Sequence, residues 1–583
     1  MRYLRMLTNA AIAGALASAY LTTLVLQLNP AYPLAPAALL PLAFTLGLAY
    51  GANLAVLFYA AIVLRQIVAT EVLSPGWLSV RLLSWLCTAA ATAGAAVMWL
   101  NLGTFGPVLD AGTIDRMTTG AAALSAAAAT FLLLAIAHIG RRGGRLSAVV
   151  LVLTMVLSVA APIVARGPAR PGVVPAAAPP AAFAARAEAR VWMLLVDGAS
   201  LDRISPAVAA GQLPNFGRML DGGASMHLAT VRPTQAEPAW SAVATGRLPM
   251  ANGVRSSALY RARGGSPPLT LLPDFCFAQA LVRFGFLGED AHSPASLDAR
   301  PIWHILSDAG VPVGIIGWPL THPAPEVRGY IVSDAFHRLT EAELDLGAAG
   351  AVSPAGLLPD VRAAAAESPA PDPRAIAGED QSAPGLDPES RREPDKIAAD
   401  RVHVQILDAL EALAPADFTA VRLPGLDDVG HRFLRYADPT PFGDVTEEEI
   451  RQFGDVLPRY YAFVDAVVGS LLARLGPDDL LLVVSPFGME PLTPGKRLLE
   501  QLVGNPATSG THERAPDGFL LAYGAAVAPG RLPRGSLVDV TPTILYFLGL
   551  PVARDMDGAP RTALFTPAFT AAHPITFIPG YGR

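Results

Sequence analysis

Five long apolar runs fill the first 165 residues and decide what that part of the chain can fold into. They cover roughly 7–28, 41–64, 78–101, 118–139 and 146–165, each close to the ~20 helical residues that cross a hydrocarbon core. A segment in lipid must satisfy its own backbone groups, so these runs are expected to be α-helices. Pro33, Pro36 and Pro41 delay the second run, since proline lacks an amide proton and disfavours helix in the residue before it. Splitting 33–64 into two short spans would give six crossings. Charge placement favours five: Arg2, Arg5, Arg65, Arg141, Arg142 and Arg145 then share one side, against Asp110, Asp115 and Arg116 on the other. Basic residues collect on the cytoplasmic side, so residues after 166 are expected outside the membrane. The basic start and first apolar run also fit a cleaved signal peptide, but four further runs follow, which favours a retained helix.

The whole chain of 583 residues is 52% hydrophobic and only 16% charged, with net charge −6 and two cysteines. No basic cluster is long enough to suggest nucleic acid. Cys87 lies in an apolar run and Cys276 in the polar part, so no disulfide framework is expected.

The texture changes after the fifth run. Residues 166–189 are Pro/Ala-rich and read as a linker. From residue 190, short β-like runs (Val191–Val196, Val313–Gly317, Phe418–Arg422, Leu480–Ser485, Phe519–Tyr523) alternate with helix-length segments. That alternation implies an α/β domain over 190–583. Residues 346–395, rich in Pro, Ala and acids, are expected to form a mobile surface insertion.

Within this domain Asp427 and His431 stand four apart, and a third candidate ligand follows at His512. On a helix, i and i+4 share a face, so one carboxylate and two imidazoles can meet at one ion. Zinc suits such a donor set. Asp427 as a helix cap and His431 as a core histidine are the structural alternative. Asp197 ends the run Val191–Val196, where α/β folds place ligands, and is equally suited to holding a turn with Gly198.

These positions form part of a longer pattern. Val191 to Gly198, Leu213-Pro-Asn-Phe216, Pro238-Ala-Trp240 to Gly246, Gly317-Trp-Pro319, Gly425–His431, Ser485–Pro491, His512–Gly518, Val538–Thr543 and Gly549-Leu-Pro551 occur in that order. Together they resemble the type I phosphodiesterase/nucleotide pyrophosphatase branch of the alkaline phosphatase superfamily. The resemblance implies a mixed sheet sandwiched by helices and a two-zinc site with a Thr or Ser nucleophile. It assigns Asp427, His431 and His512 to one metal and Asp197 to the other.

The departures from the family pattern all fall on the second metal. The nucleophile position is Ala236, and Thr234 is the nearest hydroxyl candidate. The second Asp-His ligand pair is replaced by Pro486-Phe487. One zinc ion is therefore expected, with the second site lost. Three functions follow from the resemblance and its gaps. One is a membrane-anchored hydrolase of phosphoric esters, another an inactive relative that binds a phosphorylated ligand or partner. The last is a transferase of phospho-groups to lipids or glycans, which would also need the missing Thr. Expected partners are the bilayer and a phosphorylated small molecule, lipid or glycan, with the oligomeric state left open.

Overall fold

The computed structural model describes residues 1–68, 75–139, 144–168, 185–186, 189–263, 267–339, 350–366, 396–503 and 507–582. The chain divides into two compact units, Met1–Val173 with Ala258–Ala291, and Val174–Ser257 with His292–Arg583.

Among the described residues, the first unit has five helices long and apolar enough to cross a membrane: α1 (Arg2–Leu28), α2 (Pro36–Val68), α3 (Val80–Phe105), α4 (Ala111–Ala137) and α5 (Arg145–Arg166). The second run forms one element, with a π-helical turn at Gly47–Gly51. It starts at Pro36 and not after Pro41, because the first helical position needs no amide donor. Arg166, expected to open the linker, instead ends α5 and is buried. Its guanidinium donates to the carbonyls of Leu26, Asn29, Pro30 and Tyr32. The carboxyl ends of α1 and α5 are thereby tied together. Most of the expected linker (169–184, 187–188) lies outside the described residues.

Residues 258–291 also belong to this first unit, where the sequence reading placed them in the α/β domain. Strands Ala258–Ala262 and Leu287–Ala291 pair antiparallel. Ala258, Tyr260 and Ala262 bury one face against Val25, Leu26, Leu42 and Leu46. Alternation of this kind marks any half-buried strand and says nothing about which body buries it.

The second unit is an α/β sandwich around a ten-stranded mixed sheet. Its strands are β1 (Val191–Val196), β2 (Ala224–Ala229), β3 (Val313–Ile316), β4 (Gly329–Val332), β5 (Val352–Ser353), β6 (Phe418–Leu423), β7 (Leu480–Phe487), β8 (Asp517–Tyr523), β9 (Gly530–Arg531) and β10 (Gly535–Ser536). The order is β9-β2-β8-β7-β1-β6-β3-β4-β5, with β10 also on β2. The centre, β7-β1-β6-β3-β4, is parallel, whereas β8 joins β7 and β2 antiparallel. Every residue of β1 and β7 is buried, so helices cover both faces.

One face packs Trp192, Leu194 and Val196 with the helices Lys396–Leu413, Gly425–Ala437 and Val456–Arg474. The segment Glu447–Arg474 is also long and apolar enough to span a membrane. Its Val456, Leu457, Val464, Val468 and Leu471 instead belong to this core. Part of the expected mobile insertion is likewise structured. Residues 350–366 carry β5 and the helix Leu358–Ala366, whose Val361 and Ala364 are in the same core. The remainder, 346–349 and 367–395, lies outside the described residues.

Candidate active site

The helix Gly425–Ala437, here α7, leaves β6 and carries Asp427 and His431 one turn apart, as their spacing requires. Asp400, on the helix Lys396–Leu413 (α6), accepts the Gly425 amide at 2.9 Å and fixes where α7 starts. The Tyr460 hydroxyl donates to the other Asp400 oxygen at 2.6 Å. Burial holds this carboxyl well above the ordinary carboxylate range, against the pull of those two bonds.

His512 reaches the same place from the two-residue strand Gly510–Thr511. Ser509 binds that segment to the middle of α7, its amide donating to the His431 carbonyl at 2.6 Å. Gly510 allows the approach, since a Cβ there would lie 2.5 Å from the Gly430 oxygen. Gly198 flanks Asp427 in the same way: its φ is +76°, and a Cβ would meet the Asp427 Cα at 3.0 Å.

The ligand atoms of Asp427, His431 and His512 all lie within 4.8 Å of one another. The two Nε2 atoms are 3.6 Å (His431) and 4.0 Å (His512) from Asp427 Oδ1. Both Nδ1 atoms face backbone carbonyls, Gly510 at 2.8 Å and Thr234 at 2.9 Å. With Nδ1–H donating, each Nε2 presents its lone pair toward Asp427, the arrangement of metal-ligating histidines. The donor set therefore fits a divalent ion such as zinc.

Asp197 does not join this cluster. It follows β1, next to β6, where Leu195 is in register with Arg422. Arg422 Nε donates to Asp197 Oδ2 at 3.2 Å and its Nη2 binds the same oxygen. The Trp240 indole donates to Oδ1 at 2.6 Å. The carboxylate, 1% exposed, is thus held by a cation and a neutral donor from this chain. Burial alone would lower the Arg422 pKa, yet Asp197 carries it above its ordinary value. This arginine was missed in the sequence reading. A charged residue closing the apolar run Phe418–Val421, parallel to a run closed by Asp197, was the available signal.

The other substituted positions are equally closed. Ala236 opens the helix Ala236–Thr245 and offers no hydroxyl. Thr234 is 1% exposed, and its hydroxyl donates to the Val231 carbonyl at 2.9 Å. Its contribution is the carbonyl that orients His512. Phe487, where the family resemblance implies a metal ligand, is fully buried with its ring centroid 4.6 Å from that of His512. It walls the imidazole on one side.

A model of the type I phosphodiesterase/nucleotide pyrophosphatase family matches residues 191–529, more than half of the chain. Phosphopentomutase from Shewanella loihica is 36% identical over 93 residues, 16% of this chain and 19% of that protein. The match thus spans about a fifth of that relative's length. Among solved structures, the inactive form of murine ectonucleotide pyrophosphatase/phosphodiesterase 5 in complex with AMP is 12% identical, with a TM-score of 0.38, covering 65% of this chain and 100% of that one. The human ectonucleotide pyrophosphatase/phosphodiesterase 5 is 13% identical at a TM-score of 0.38, with the same coverage. By the family match across 191–529, this chain belongs to the type I phosphodiesterase/nucleotide pyrophosphatase family.

Proposed function

We propose that this protein is a membrane-anchored member of its hydrolase family that binds a phosphoric ester at one zinc ion and forms no phosphorylated enzyme. The observation that carries this reading is the contrast between three converging ligands and an Asp197 already neutralised by Arg422. Zinc bound by Asp427, His431 and His512 supplies Lewis acidity toward a phosphoryl oxygen. Gly510 and Thr234 keep both imidazoles oriented for it. Ala236 and the buried Thr234 offer no group to accept a phosphoryl, so turnover requires solvent as the nucleophile. The ester belongs to a small molecule, lipid or glycan. The arginine distribution of the amino-terminal helices supports a cytoplasmic N-terminus and an extracytoplasmic α/β domain.

The test uses the full chain in detergent, with metal content, binding of inorganic phosphate and turnover of a nitrophenyl phosphodiester. Wild type should hold one zinc. His431→Ala and His512→Ala should each weaken zinc by more than about 100-fold and abolish phosphate binding. Two tightly held ions in the wild type, or a phosphoryl group trapped on Thr234, would refute the reading.

A further inference from the structure

The hairpin Ala258–Ala291 interrupts the family-matched sequence, yet it belongs to the unit of apolar helices. Two buried asparagines hold it there. Asn29, capping the carboxyl end of α1, accepts the Thr270 amide at 2.7 Å and the Leu271 amide at 3.0 Å, and donates to the Leu271 carbonyl at 2.8 Å. Asn101, near the carboxyl end of α3, accepts the Asp274 amide at 2.7 Å and donates to its carbonyl at 2.9 Å. Residues 270–274 are therefore fastened near the carboxyl ends of two candidate spans.

The next residues are aromatic and exposed. Phe275, Phe277 and Phe284 are 48%, 67% and 65% exposed. Outside the spans, the described residues include only one further exposed phenylalanine, Phe577. Phe275 and Phe277 have φ of 60° and 56°, a left-handed conformation that bulky residues rarely adopt. Between them Cys276 turns inward, joining Ala278 and Leu281 in a core shared with α1 and α2. The backbone thus seats one residue of the trio and turns its two phenylalanine neighbours outward. Asp274 and Arg283 are the charged residues on the exposed side.

We propose that residues 274–284 form a membrane-seated element, with Phe275, Phe277 and Phe284 entering the interfacial zone of the bilayer beside the spans. Aromatic rings favour that zone, and short amphipathic segments bury their apolar face there to a depth of about 5–10 Å. The lipid surface is the indicated occupant because the hairpin is fastened to α1 and α3 and packs on the start of α2, and the exposed residues near those ends (Leu40, Phe44, Trp99, Leu100) are apolar. The inference rests on the reading of α1–α5 as spans, and the experiment separates the two.

The full chain is reconstituted into phosphatidylcholine vesicles with nitroxide labels at Phe277→Cys, Phe284→Cys, Val156→Cys in mid-α5, or Glu448→Cys in the α/β unit. Unmutated protein, whose two cysteines are buried, serves as the labelling blank. Collision with oxygen reports lipid, and collision with a water-soluble nickel chelate reports solvent. Labels at 277 and 284 should show an oxygen-to-nickel ratio several-fold above that at 448 and below that at 156. If 156 reads lipid while 277 and 284 match 448, the membrane-seated element is wrong and the spans stand. Labels at 277 and 284 shielded from both reagents, as under a second copy of the chain, also overturn it. A water-like signal at 156 removes the spans and the element together.

Discussion

Two clusters in the α/β unit surround a buried carboxylate in different ways. At Asp427 the counter-groups are His431 and His512, imidazoles anchored through Nδ1 so that their Nε2 atoms converge. At Asp197 the counter-group is Arg422, a cation built into the neighbouring strand, helped by the Trp240 indole. A carboxylate removed from water needs a positive partner or strong donors. The first cluster could take an ion in that role, whereas the second fills it with the chain itself. Here a guanidinium holds Asp197, and Phe487 packs against His512.

Rebuilding the second site should break this contrast only when Arg422 is removed as well. Ala236→Thr with Pro486→Asp and Phe487→His restores the family's missing groups, yet Asp197 stays bound to Arg422. That triple variant should still hold one zinc per chain, and adding Arg422→Ala should raise the content to two. A second ion in the triple variant, read by elemental analysis, would show that Arg422 does not block the site.

Removing Arg422 alone leaves Asp197 buried without its cation. Arg422→Met should lower stability by about 3–5 kcal/mol, the usual cost of breaking a buried ion pair from one side. Asp197→Asn added to it should recover most of that loss, because the amide oxygen can still accept the Trp240 bond. Denaturation midpoints of the single and double variants test this, and equal midpoints would mean that the pair is not coupled.

The parts of this architecture legible in sequence were those with a local period. The apolar runs gave the five helices of the first unit, and the four-residue spacing placed Asp427 and His431 on one face of α7. Strand runs ending in Asp197 and Arg422 were also visible, but their pairing spans 225 residues and depends on which strands are neighbours. The same distance hid the allegiance of 258–291, whose anchors at Asn29 and Asn101 lie 241 and 173 residues away. Composition misled at 350–366, where Ala-rich sequence is a helix covering the core and not a loop. Thr234 looked like a candidate because of its hydroxyl, whereas its fold position uses the carbonyl.

His403 extends the comparison to pH. It is buried on α6, its Nδ1 meets the Arg422 carbonyl at 2.7 Å, and burial together with the nearby guanidinium pushes its pKa down to about 4. Unfolded, it would titrate near its ordinary value of 6.5. Between these values the unfolded chain binds a proton that the folded one does not, so stability is full above pH ~6.5 and falls as pH drops toward 4. The loss should reach about 3 kcal/mol. His403→Gln, which can still donate to the Arg422 carbonyl, should flatten the profile in that window. An unchanged slope would assign the pH dependence to other groups, such as buried His292, whose pKa burial also lowers to about 4.

The smallest expected effect separates the two ends of Thr234. Its hydroxyl bonds to Val231 within its own turn, while its carbonyl receives the His512 Nδ1–H. Thr234→Val keeps the branched shape and the carbonyl and deletes only the hydroxyl. Stability should fall by about 1 kcal/mol, the net worth of one buried hydrogen bond plus the cost of leaving its acceptor unsatisfied. Zinc content, phosphate binding and any diester turnover should not change, because neither His512 nor its orienting oxygen has been touched. A variant that keeps its fold and zinc but loses turnover would instead give the Thr234 hydroxyl a chemical role. The second cluster would then be a working half of the site and not a replaced one.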